Sequence, residues 1–204
     1  ALQCSGTVQG WVDLIASLGI TWSPPTHDAS GVVVNGTTTI AQLCESTCAS
    51  YGVIVGSCTS PPPVDPRLVL IKLYESTGGA GWTNRDGWLG DGTTCSWHGV
   101  GCSGTGEVSS IWLDSNSLTG EVPTQVGMLT TLDWLIFHTN SISGGVPTQL
   151  GLLTALKRLN LRTNSFFGEV PTQLGRLTNL IELTLERNSI SGVLPTQLGL
   201  LSAL

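Results

Sequence analysis

One spacing governs this chain. From residue 108 onward the sequence returns on itself every 24 residues. Val108, Leu132, Leu156, Leu180 and Leu204 share a column, and Asn116, Asn140, Asn164 and Asn188 share another. Gly120, Gly144, Gly168 and Gly192 form a third, and Pro123, Pro147, Pro171 and Pro195 a fourth. A repeat of this length is one supersecondary unit that cannot bury its apolar face alone, so successive units must stack into a coil. Within the unit, Leu-x-Leu has a period of two, which sends both side chains to one face of a short strand. That predicts strands near Ile111–Leu113, Leu135–Phe137, Leu159–Leu161 and Leu183–Leu185, neighbours in one parallel sheet. The Asn that follows turns the chain out of the strand, and its amide is placed to bond the backbone of adjacent coils as a ladder. Gly relieves the backbone at the bend, Pro ends the segment after it, and the later leucines close the back of the coil.

The unit reads L-x-x-L-x-L-x-x-N-S-[LIF]-x-G-x-V-P-T-Q-L-G-x-L-T-x. This resembles the plant-type leucine-rich repeat of receptor-kinase ectodomains and polygalacturonase-inhibiting proteins, and its Pro-Thr-Gln wording is similar to secreted repeat proteins of algae. The resemblance implies an α/β repeat solenoid, a right-handed coil with a parallel sheet. It also implies a second short strand in each coil, at Ser117–Val122, Ser141–Val146, Ser165–Val170 and Ser189–Leu194. Upstream, Asp65 to Tyr74 has helical apolar spacing. Thr77-Gly78-Gly79-Ala80-Gly81-Trp82, Trp88 and Cys95-Ser96-Trp97-His98-Gly99-Val100-Gly101-Cys102 follow. These are similar to the helical N-terminal cap of the same family, whose C-x-W-x-G-V-x-C carries a disulfide. The resemblance therefore implies a Cys95–Cys102 bridge in a cap that covers the apolar end of the stack.

The expected organisation is a small cysteine-rich module of no recognised family over 1–60, a proline-rich spacer over 61–66, the cap over 67–107 and four repeats over 108–204. The 24-residue phase is unbroken up to Leu204 and nothing there resembles a cap, so further repeats are expected beyond it, the alternatives being a partner docked end-on and head-to-tail stacking into a filament. The first module carries Cys4, Cys44, Cys48 and Cys58 and needs staples at its size. Three pairings are open among these four. Six cysteines, an even number, point to an oxidising compartment. With the sequon at Asn35, they suggest a glycoprotein that is secreted or on the cell surface.

Chemistry is scarce. A net charge of −6 without a basic run gives no footprint for nucleic acid. No apolar stretch approaches the roughly 20 residues of a membrane span. His27, His98 and His138 belong to no catalytic or metal-binding motif. Asp86 and Asp91 sit in a glycine-rich loop without the calcium-loop pattern and read as solvated carboxylates. No enzyme activity, metal or cofactor is expected.

The variable strand positions carry the information. Side chains between the inward leucines project onto the concave sheet in columns. The first reads Ser110, Trp134, Arg158, Glu182, and the second Trp112, Ile136, Asn160, Thr184. The third reads Asp114, His138, Arg162, Glu186, and the fourth Ser115, Thr139, Thr163, Arg187. Exposed, clustered Trp112, Trp134 and Ile136 with His138 beside them form a candidate interface. It would be covered by a partner protein or glycan, by another copy, or by the N-terminal module. Arg158, Arg162, Glu182 and Glu186 are further partner-binding candidates on this face, although Arg158 with Glu182 and Arg162 with Glu186 also read as ion pairs between adjacent coils. The expected function is a non-enzymatic extracellular recognition or assembly module, plausible as a structural subunit of a surface layer. The alternatives are a secreted inhibitor of a wall-degrading enzyme and a fragment of a receptor ectodomain.

Overall fold

A computed structural model describes residues 64–204. The expectations for the cysteine-rich module and most of its spacer, including Cys4, Cys44, Cys48, Cys58 and Asn35, lie outside the described residues, as does His27.

The described chain opens with helix α1, Pro66–Ser76. Asp65 starts it, its carboxylate accepting from the Arg67 N–H at 2.9 Å, and Pro66 occupies the first turn, where its missing donor costs nothing. Val69, Leu70, Leu73 and Tyr74 give the buried face. Strand β1 (Val100–Cys102) then pairs antiparallel with β2 (Val108–Trp112). Strands β3 (Trp134–Ile136), β4 (Arg158–Asn160) and β6 (Glu182–Thr184) add to it in parallel. A second, two-stranded parallel sheet pairs β5 (Phe167–Gly168) with β7 (Ser189–Ile190). Bridges Glu121–Ser143 and Gly145–Phe167 extend the same line through the earlier coils. Short 3-10 turns at Thr124–Met128, Thr148–Leu152, Thr172–Arg176 and Thr196–Leu200 close the back of each coil.

The strands begin one residue or more ahead of the expected positions, but their register is the expected one. Ile111, Leu135, Leu159 and Leu183 are partners across four coils, and Ser110, Trp134, Arg158 and Glu182 are the column beside them. Leu135, Leu159, Phe137, Leu161, Ile142 and Phe166 have no exposed surface, so the core runs as columns along the stack. The second sheet is shorter than the resemblance implied: two-residue strands and single bridges stand where six-residue segments were expected.

The asparagine ladder is present. The Asn140 carbonyl accepts from the N–H of Asn116 and Leu118, both at 3.0 Å, and its amide donates to Leu113 O at 2.8 Å and Phe137 O at 2.9 Å. Asn164 and Asn188 repeat the pattern. Asn84 supplies a rung below the first coil, its carbonyl accepting from Asn116 at 2.8 Å. It lies 32 residues before Asn116, outside the 24-residue phase, so the repeat gave no sign of it.

Ahead of the coils, Tyr74, Trp82, Trp88 and Trp97 pack in a chain of ring contacts, centroids 4.7 to 5.8 Å apart. Arg67 stacks on Trp97 at 5.0 Å and donates to the carbonyls of Gly90 and Gly92, which ties α1 to the loop before β1. Cys95 and Cys102 are bonded, as the resemblance implied. Their separation of 7 residues closes a small loop. Breaking it with Cys95→Ser/Cys102→Ser should lower stability by about 2–3 kcal/mol, read as a shift of the urea midpoint.

A second glycine column does work that the repeat pattern alone did not assign. A Cβ on Gly127, Gly151 or Gly175 would run into the backbone carbonyl of Gln149, Gln173 or Gln197 in the next coil. Only glycine lets the back of one coil sit so close to the next. Gly151→Ala should therefore cost about 1–3 kcal/mol by forcing the coils apart, measured by thermal unfolding.

Candidate concave recognition face

The short strands hold the variable side chains on a fixed grid. Leu135 and Leu159 anchor each strand inward, so Trp134, Ile136, Arg158 and Asn160 stand outward at set spacing. Trp112, at the end of β2, leans across the columns onto Trp134, with ring centroids 5.1 Å apart and an interplanar angle of 23°. On the next coil the Arg158 guanidinium lies over Trp134 at 4.6 Å. Arg158 Nε is 3.5 Å from Glu182 Oε2, a charge contact whose geometry does not make a hydrogen bond. Trp112, Trp134, Arg158 and Glu182 thus form one stack over four coils. Sequence columns predicted the Arg158–Glu182 pair but not that the flat face of Arg158 is engaged by an indole.

The third column has a carboxylate at each end and basic groups between. Arg162 Nε is 3.1 Å from Glu186 Oε1, and His138 Nε2 is 3.8 Å from Asp114 Oδ2. His138 Nδ1 lies 3.2 Å from Thr139 Oγ1. Lys157 Nζ reaches Asp133 Oδ2 at 3.1 Å just before the strands. All these partners are substantially exposed, so each pair contributes at most ~1 kcal/mol to folding. Trp112 is 47% exposed, whereas Trp134, Ile136 and His138 are half-buried.

The fourth column leaves the sheet by a left-handed turn. Ser115, Thr139, Thr163 and Arg187 have φ of 51°, 58°, 53° and 57°. That region disfavours β-branched residues by roughly 1–2 kcal/mol. At Ser115, Thr139 and Thr163 the turn is held because the N–H finds a carbonyl on the next coil, as Thr163 does with Glu186 O at 3.0 Å. Asparagine tolerates this conformation, so Thr163→Asn should raise stability by about 1 kcal/mol, seen as a higher midpoint in urea. An open, hydroxyl-rich groove of about 370 Å³ runs along this edge between Ser115, Ser117, Thr139, Asn140, Ser141 and Thr163. Among the described residues no three metal-ligating side chains cluster.

The leucine-rich-repeat family pattern matches residues 179–201. Among solved structures, the BIR3–SERK2 complex of Arabidopsis thaliana matches at 30% identity and a TM-score of 0.59, over 69% of this chain and 78% of that one. The chain belongs to the plant-type leucine-rich-repeat proteins. Two more matches are Arabidopsis ectodomains. That of BIR2 is 29% identical with a TM-score of 0.64, over 69% of this chain and 76% of the other. That of the receptor kinase SOBIR1 is 30% identical with a TM-score of 0.56, over 69% and 77%. No curated protein matches the sequence. As a leucine-rich-repeat protein, the chain is a protein-interaction module. Among its described residues, no helix is long and apolar enough to cross a membrane.

Proposed function

We propose that this protein is a non-catalytic extracellular recognition and assembly module that docks a partner protein on its concave face. The observation that carries the reading is the stack of Trp112, Trp134 and Arg158, which presents preformed aromatic surface at the centre of the sheet. Tryptophan and arginine are the side chains that dominate protein interfaces, and a locked stack loses little entropy on binding. The match to the BIR3–SERK2 complex supports a role in pairing with another protein. The disulfide at Cys95–Cys102 supports an oxidising, extracellular setting. A structural subunit of a surface assembly and a receptor ectodomain are both versions of this reading. Inhibition of a wall-degrading enzyme is the variant in which the partner is a hydrolase.

The test compares Trp134→Ala with the unaltered chain after native purification. Mass and stoichiometry are measured on the complex and unfolding on the free chain. Partner association should weaken more than about tenfold, the loss of roughly 1.4 kcal/mol or more, while the unfolding midpoint barely moves. Equal losses of folding and binding would mean that Trp134 serves the fold and not the interface.

A further inference from the structure

We propose that the open face of Trp112 is an arginine-binding subsite, where a partner's guanidinium stacks on the indole and pairs with Asp114. This rests on the reading of the concave face as the interface. Trp112 has two faces, and among the described residues an aromatic ring stacks on one of them. Trp134 covers the side toward β3. On the opposite side lies β1, where Gly101 is the partner of Ser110 and Gly99 accepts from the Trp112 N–H at 2.7 Å. The nearest residues of β1 and its approach are thus two glycines without side chains, and among the described residues Trp134 is the one ring stacked on Trp112. Among the described residues the indole ends the stack uncovered, in line with its 47% exposure beside a half-buried Trp134.

The charge beside it points the same way. Asp114 follows Trp112 by two residues on the same face, about 7 Å along the chain. Among the described residues its ion-pair partner is His138 at 3.8 Å, a cation only when protonated. The arginines further along the face already have carboxylates of their own, Arg158 with Glu182 and Arg162 with Glu186. The cap end of the face therefore offers a π surface and a carboxylate with no permanent cation. A guanidinium satisfies both at once, by its flat face and by its N–H fork. An ammonium meets only the charge. A neutral ring would stack but would leave Asp114 desolvated and unpaired. The far end of the same stack shows this combination completed within the chain, where Arg158 lies on Trp134 and faces Glu182.

The experiment uses the full chain with its tryptophans labelled at the indole nitrogen, the Trp112 resonance being assigned from Trp112→Phe. The probes are three blocked peptides, acetyl-Gly-Xaa-Gly-amide, with arginine, lysine or citrulline at the centre. The arginine peptide should shift the Trp112 resonance saturably. The lysine and citrulline peptides should bind about fivefold more weakly or less. Asp114→Asn should weaken the arginine peptide to the level of citrulline without moving the other indole resonances. A Trp112 resonance that does not saturate with arginine overturns the subsite, as do three equal peptides or an Asp114→Asn chain that binds like the unaltered one. The two proposals separate cleanly. If Trp134→Ala releases a partner while arginine leaves Trp112 unmoved, the face is an interface but not an arginine site. If arginine binds and no partner depends on Trp134, the subsite stands and the interface reading falls.

Discussion

Replacing Trp97 with alanine is expected to destabilise the described unit by about 3–5 kcal/mol, the range for emptying a large aromatic site in a core. Trp97 is 2% exposed, packs on Trp88 at 4.8 Å and carries Arg67 on its ring at 5.0 Å. Its loss removes the ring that links α1 to the disulfide loop, and with it the cover over the first coil. Val108 and Ile111 behind that cover are 2% and 0% exposed. A solenoid whose end is uncovered loses solubility as well as stability. Urea unfolding should show the shift, and the variant should associate at concentrations where the unaltered chain does not. A loss below about 1 kcal/mol would place the cap's contribution elsewhere than in its aromatic chain.

Leu159→Ala should cost about 2–5 kcal/mol. Leu159 has no exposed surface and stands in register between Leu135 and Leu183. Stability in a stacked array is a sum of intrinsic and nearest-neighbour terms, so a cavity here weakens two interfaces at once. In the 204-residue chain itself Leu183→Ala should cost less, because Leu183 is only partly buried. Guanidinium unfolding of the two variants side by side checks both the size and the order. Equal costs would contradict the nearest-neighbour account.

How much of this was legible in the residues divides along the repeat. The strand register, the inward leucines and the asparagine ladder follow from a spacing of 24, because a periodic sequence fixes periodic neighbours. The Cys95–Cys102 bridge came from the resemblance of the cap and not from the repeat. What the columns could not show were contacts that cross them. Trp112 belongs to the second column and Trp134 to the first, yet their rings meet because long side chains reach diagonal neighbours on a sheet. Arg158 meets Trp134 within the first column, directly across the strands, where reading Arg158 with Glu182 as an ion pair hid the ring contact. The role of Gly151 was hidden for another reason. Its constraint comes from the backbone of the following coil, at a place where the sequence shows only the letters of a repeat.

Oxidative footprinting of the tryptophans reads directly whether the aromatic face is an interface. The chain is labelled in its native assembly and again after purification to a single species. Trp112 and Trp134 should be protected in the assembly and become reactive in the isolated chain, while buried Trp97 stays unreactive in both. Unchanged reactivity of Trp112 and Trp134, with protection gained at the exposed Phe167 on the second sheet, would contradict this and move the interface to the side of the solenoid.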